Sequence, residues 1–270
     1  QGAGQSAYRI LVGKDSLALV ANSGNAWDTG KVPSDRQLVS YNGRGLEPFT
    51  RYFWKVIAWN TSGEESSSAI HSFETGMMGI HNWQGAWISD GRDIHHHPAP
   101  YFRKEFSADK TIASARAYIA VGGLVELYVN GERVGDHRLD PMYTRYDRRN
   151  LYVTHDVTHL LQPGENAVGV LLGNGWYNHQ SMAVWDFHRA PWRNRPAFCL
   201  DLKITYDDGS VETVSTDLSW RKSDSPLVFN SIYTAEHYDA RLEQEGWSSP
   251  GFDDSEWQGV ALRGAPSDQI

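Results

Sequence analysis

Apolar and polar positions alternate at period two along most of the chain, and the 3.6-residue recurrence of an amphipathic helix is nearly absent, so the pattern predicts strands. Residues 7–12 (AYRILV) read as one strand. Residues 52–59 (YFWKVIAW) form another, with Phe53 and Lys55 on one face and Trp54 and Val56 on the other. Asn60-Thr61-Ser62-Gly63 makes a turn, and residues 69–73 form the next strand. After a connector at 77–84, a second β region opens at Trp83 and Trp87. Its strands are expected at 101–106, 113–121, 124–129, 166–172, 197–206 and 211–215. Asn130-Gly131 and Asp208-Gly209 mark two hairpins, because both dipeptides tolerate the positive φ of two-residue turns. Within 157–164 one short helical turn precedes Pro163-Gly164. The expected fold class is all-β: two β-sandwiches, over residues 1–78 and 79–270, with strands spaced by polar turns.

Composition narrows the function classes. The 270 residues suit one large domain or two ordinary ones. A single cysteine, Cys199, rules out an internal disulfide and a thiolate zinc cluster. The longest apolar run, residues 167–172, is far too short to span a bilayer. A net charge of −8 argues against non-specific binding to nucleic acid. The 11 Trp and 13 Tyr exceed what a generic core needs, and they suit sheets and surfaces that stack on flat partners. No basic and apolar leader opens the chain, so no signal peptide is visible.

The most informative segment runs from Asn174 to Pro196, because structureless connections this long are uncommon and often functional. Flat aromatic faces serve the C–H side of a sugar ring, and planar polar groups bond adjacent hydroxyls. The candidate carbohydrate-binding residues are Asn174, Trp185, Asp186, Arg189, Trp192 and Arg193. Trp176 and Tyr177, beside the strand end, are expected to fix the loop base; the bland alternative packs the whole segment as a small core. Glu236, Asp239, Glu243 and Glu245 could supply paired carboxyls for glycoside hydrolysis, or loop hydrogen bonds with Asp239 on Arg241. Asp207-Asp208 and Asp253-Asp254 sit in turn contexts. His95-His96-His97 reads as a solvated loop or, less simply, as imidazole metal ligands. Cys199 lies opposite the apolar face of Phe198, Leu200, Leu202 and Ile204, as a packed thiol.

Two resemblances follow. Tyr52-x-Trp54-x-Val56, Trp27-Asp28-Thr29-Gly30 and Ser72-Phe73-x-Thr75-Gly76 resemble a fibronectin type III-like module. Its length implies that the first strand, or the first two, is missing or replaced. Leu127-Tyr128-Val129-Asn130-Gly131, Asp140-Pro141, Tyr143-Thr144-x-Tyr146, Gly164-Glu165-Asn166, Gly173-Asn174-Gly175-Trp176-Tyr177, Tyr238-Asp239-Ala240-Arg241 and Phe252-Asp253-Asp254-Ser255-x-Trp257 resemble, in that order, the N-terminal sandwich of bacterial α-L-rhamnosidases. The resemblance implies a galactose-binding-like jelly roll whose chain ends meet, with Trp83–Ile88 near Trp257. It also implies a secreted or periplasmic parent chain whose hydrolytic site lies in a downstream (α/α)6 barrel. The family's catalytic acid and base match no position here. This chain is then a non-catalytic front end, partnered by that catalytic domain and by rhamnose-containing glycans. Calcium enters through the resemblance only, and no matching ligand set is evident. The competing readings are a structural spacer and a cell-surface adhesion module without a sugar ligand.

Overall fold

The structure, a computed structural model, describes residues 4–182 and 185–270. The chain forms two compact units, Gln1–Asn82 and Trp83–Ile270. In the first, strands β1 (Gln5–Gly13), β2 (Trp27–Asp28), β3 (Val32–Pro33), β4 (Arg51–Asn60), β5 (Glu65–Ser67) and β6 (His71–Glu74) make one sheet. The long antiparallel pair β1–β4 is its spine; β2 and β3 pair with β1, and β5 and β6 with β4. Helix α1 (Ser16–Val20), capped by Asp15, is a single turn that periodicity does not announce. Leu19 from α1 packs on Leu11 and Ile57, closing one face. Tyr8, Ile10, Val12, Trp54 and Val56 line an open cleft on the other face.

The second unit carries β7 (Ile88–Ser89), β8 (Pro100–Ala108), β9 (Ile112–Gly122), β10 (Leu124–Val129), β11 (Glu132–Arg133), β12 (Tyr152–Asp156), β13 (Gly164–Gly173), β14 (Ala197–Tyr206), β15 (Val211–Ser215), β16 (Arg221–Asp224), β17 (Leu227–Ser231), β18 (Ala235–Tyr238), β19 (Gln258–Gly259) and β20 (Ala261–Leu262). One sheet has the order β11-β10-β13-β8-β16-β19; the other has β12-β9-β14-β7-β20, with β15 also on β14. The β17–β18 hairpin stands apart from both. Period two does the sorting: Phe198, Leu200, Leu202 and Ile204 of β14 face inward beside Val121, Ile119, Ala117 and Ala115 of β9. They meet Phe102, Leu127, Val168 and Val170 of the opposite sheet in one core. The all-β expectation holds; among the described residues helix is limited to α1 and single 3₁₀ turns, including the expected one at Thr158–Leu160.

Local chemistry explains the turns. Asn130 and Gly131 both take positive φ, +52° and +86°, as a two-residue hairpin between β10 and β11 requires. The other hairpin differs from expectation: only Gly209 takes positive φ, and the Tyr206 N–H reaches the Ser210 carbonyl across a longer loop. Asp208 instead accepts from the Ser210 N–H. Asn166 is wholly buried yet saturated; its amide donates to Gln162 and Gly164 and accepts from Gln162 and Asn130. The chain ends do meet, through β7 and β20. Trp257, however, stacks near Tyr101 and Trp247, while Trp87 packs with Cys199 and Ala120 in a separate cluster.

Phe198 is fully buried between Phe102 and Trp220. Phe198→Ala should cost about 3–5 kcal/mol, because the sheets cannot collapse onto the void. Urea unfolding followed by tryptophan fluorescence measures it.

Candidate functional site

The long connection between β13 and β14 is anchored at both ends. At its start Asn174 is buried; its N–H donates to Asn230 Oδ1 at 2.7 Å, and its Nδ2 to the Asn230 carbonyl. Its Oδ1 accepts from Asn178. At the end Arg195 is buried outright. Its guanidinium donates to both oxygens of Asp90, from Nε to Oδ1 at 3.1 Å and to Oδ2 at 2.9 Å and from Nη2 to Oδ2 at 2.6 Å, and to the carbonyls of His96 and Pro98. Between these anchors, Asn178 and Gln180 both donate to the Ile94 carbonyl. The loop is thereby tied to the 90–98 segment through side-chain amides and one guanidinium.

The loop's aromatic residues divide into two groups. Trp176, Phe187 and Trp192 form a cluster with Tyr143 and Tyr146, with Trp176 and Phe187 centroids 4.7 Å apart. The Trp192 indole donates to the Trp176 carbonyl at 3.2 Å, so Trp192 is half-buried and committed. Trp185 is 75% exposed and makes no ring contact among the described residues. Beside it Asp186 is exposed at φ +54°, a conformation few residues other than glycine adopt. Arg189 is exposed as well. Residues 183 and 184 of this loop lie outside the described residues.

Of the six expected binding residues, the structure leaves three facing solvent, Trp185, Asp186 and Arg189. Asn174 is taken up by Asn230 and Asn178, and Arg193 by Asn178 Oδ1 and the His188 carbonyl. Loop closure needs these polar groups, because a connection this long leaves backbone and amide groups that burial would otherwise orphan. Burial depresses the Arg193 guanidinium below its ordinary range. His179, buried in the loop base against Trp176, is held below the ordinary imidazole value, first by burial and then by His188 and Arg193. Tyr143 and Tyr146, seen in the sequence only as part of a motif, supply the cluster's far wall.

The other candidates resolve into structural roles. His96 bonds Asp224 and His97 sits edge-on to Phe229, so the three histidines diverge. Asp239 pairs with Arg241 and caps a 3₁₀ turn, and Glu243 accepts from the Tyr238 hydroxyl. Asp254 pairs with buried Arg103. Burial pushes the Cys199 thiol up to about 12, and the thiol donates to the Gly85 carbonyl, so it is no nucleophile at neutral pH. Among the described residues no three His, Cys, Asp or Glu side chains gather as a metal requires. No described helix is long and apolar enough to cross a membrane.

Two outcomes follow from this geometry. Asp90→Ala strands a buried guanidinium and should cost about 3–5 kcal/mol, whereas Asp90→Leu with Arg195→Met, which removes both charges, should cost less. Urea midpoints of the two variants decide it. His179, with its pKa lowered in the fold, contributes stability in full above its ordinary 6.5, and that stability is lost as pH falls through the folded value. Melting temperatures measured from pH 7.5 to 5 should fall, and His179→Gln should flatten that slope.

Comparison with known proteins accords with this architecture. The pattern of the alpha-L-rhamnosidase N-terminal domain matches residues 110–270, and that of the Rha78A-like N-terminal immunoglobulin domain matches residues 1–79. An alpha-L-rhamnosidase of Formosa agariphila is 35% identical over 98% of this chain and 30% of its own length. One of an Alteromonas species is 32% identical over 94% and 28%. The alpha-L-rhamnosidase structure from Dictyoglumus thermophilum superposes with a TM-score of 0.90 at 39% identity, over 98% of this chain and 31% of that one. The Aspergillus terreus structure gives 0.87 at 31%, over 100% and 32%. The chain thus spans under a third of these relatives, and it matches their N-terminal, non-catalytic part. From residue 110 onward the chain belongs to the alpha-L-rhamnosidase N-terminal domain family, preceded by an immunoglobulin-like domain of the same enzymes.

Proposed function

We propose that this chain is the non-catalytic front of a secreted or periplasmic α-L-rhamnosidase, that it positions a downstream catalytic barrel, and that it offers the 174–195 loop to rhamnosyl glycans. The observation that carries the glycan reading is Trp185: a 75% exposed indole on a loop anchored at both ends, flanked by exposed Asp186 and Arg189. An isolated exposed ring has little packing value, but a ring on a fixed base stacks on a sugar at low entropic cost. Asp186 and Arg189 add charge-assisted bonds to hydroxyls. The aromatic cluster below stiffens the platform, which supports a reading with Trp192 as the brace and Trp185 as the contact. A single stacking ring with a few hydroxyl bonds corresponds to millimolar affinity, about −4 kcal/mol.

Two measurements test this reading. The purified chain should release no aryl alcohol from an aryl α-L-rhamnoside; measurable turnover would overturn the non-catalytic assignment. L-Rhamnose titrated into wild type, Trp185→Ala and Trp192→Ala, each with and without calcium, should show binding lost in Trp185→Ala. Trp192→Ala should lower the melting temperature. Equal responses in all three proteins, or none up to tens of millimolar, leave the chain a spacer.

A further inference from the structure

The first unit leaves one face of its sheet open. Alternation sends Leu11 and Ile57 toward Leu19 of α1, and it sends Ile10, Val12, Trp54 and Val56 the other way. Ile10 stands opposite Val56 and Val12 opposite Trp54, so the four side chains form a continuous apolar floor. Trp27, Tyr41 and Phe73 rise around it. The cleft holds about 520 Å³, and Arg36 is the only charged residue that lines it. Leu38, on its rim, is 91% exposed. Sandwiches bury such a face beneath a second sheet about 10 Å away. All six strands of this unit belong to one sheet.

The segment beside the cleft supplies a second observation. Residues 37–42 border the floor through Gln37, Leu38, Val39 and Tyr41. They belong to no strand, and none of their backbone N–H or C=O groups has a hydrogen-bond partner among the described residues. The segment is nevertheless held in place. The Tyr41 ring packs edge-on against Trp27 at 5.0 Å, and its hydroxyl donates to the Arg44 carbonyl at 2.7 Å. Just before it, the Arg36 carbonyl accepts from Gln5 Nε2 at 3.0 Å. Six consecutive residues thus present open backbone donors and acceptors beside apolar surface, as the edge of a sheet does.

We propose that an extended segment of the parent polypeptide, outside residues 1–270, closes this cleft. It adds a strand beside residues 37–42 and lays alternate apolar side chains on Ile10, Val12, Trp54 and Val56. The chemistry selects a peptide. Its backbone supplies the donors and acceptors that 37–42 lack, and every second side chain fills the cleft. A small apolar molecule would cover the floor and leave those backbone groups open. A second copy fits less well, because a two-fold interface sets one patch against itself, and a concave patch does not fill a concave one. The relatives supply the length: this chain covers 30% of one and 31% of another. The unit, Gln1–Asn82, is also shorter than the about 100 residues of a complete sandwich of this class. The proposal rests on the chain being part of a longer polypeptide, and it is independent of glycan binding.

The test compares amide hydrogen exchange in this chain and in the full-length parent protein, read residue by residue by mass spectrometry with electron-transfer fragmentation. In the isolated chain the 37–42 amides should exchange at free-peptide rates. In the parent, alternate amides of 37–42 should slow by about tenfold or more, because strand pairing engages every second N–H. Leu38→Asp changes a side chain that is 91% exposed, so it should leave the melting temperature of the isolated chain unchanged. In the parent the same substitution should remove the protection. Trp185→Ala should alter none of these readings, so this proposal and the glycan reading fail separately. The proposal falls if 37–42 exchanges freely in the parent, or if Leu38→Asp leaves the parent's protection intact. It falls if protection there is uniform, which marks a covering domain and not a strand. It also falls if the isolated chain is itself protected, whether at every concentration or only as light scattering shows a dimer forming.

Discussion

The surfaces of the second unit rest on one buried ion pair. Arg195 and Asp90 are both shielded from water, and each guanidinium nitrogen donates: Nε and Nη2 to the carboxylate, Nη2 also to the Pro98 carbonyl, and Nη1 to the His96 carbonyl. A buried pair of this kind adds little net stability over an apolar substitute, since desolvating both charges offsets their attraction. Its value is conformational. The fork is planar and directional, so it admits one arrangement of the 90–98 segment against the start of β14. The 174–195 loop can then stay long without losing its shape. Asn178 and Gln180 bind the Ile94 carbonyl only because Arg195 has already fixed the segment that presents it.

A second buried guanidinium works on the opposite sheet. Arg103 points outward from β8, where a sheet face would ordinarily meet water. Instead it donates to the carbonyls of Trp247 and Ser249 and pairs with Asp254 and Glu105. These bonds draw the 247–254 segment across the sheet. Gly169 of β13 is the matching accommodation: a Cβ there would lie 2.7 Å from Trp247 and Ser248. Trp247 therefore drops onto the strand and stacks on Tyr101 at 3.8 Å. One half of the outer face is covered in this way. The other half, around Leu124, Glu126 and Gly173, opens into a concavity of about 350 Å³ that the β17–β18 hairpin walls on one side. The cavity is the part of the sheet that Arg103 does not cover.

Residue alternation by itself determined the all-β class, the strands at 124–129, 197–206 and 211–215, and the inward set of β14, because side-chain direction in a strand is a local property of period two. Glycine chemistry made the Asn130-Gly131 hairpin legible for the same reason. The two-residue strands β2, β3, β7, β11, β19 and β20 were not legible, since so short a segment has no period and exists only through its partner. The strand at 166–172 was legible as well, but its burial on both faces was not, because the cover on its outer face comes from a segment some eighty positions later in the chain. The loop was found from its length and its aromatics, yet sequence could not divide them. Trp185 and Trp192 are equivalent as residue types, and only the positions of Tyr143, Phe187 and the Trp176 carbonyl send one inward. Asn174 and Asn230 lie 56 positions apart, and whether an asparagine is a ligand or a brace depends on where its hydrogen bonds find partners. Hydrogen-bond saturation is a property of the folded neighbourhood, and no local pattern encodes it.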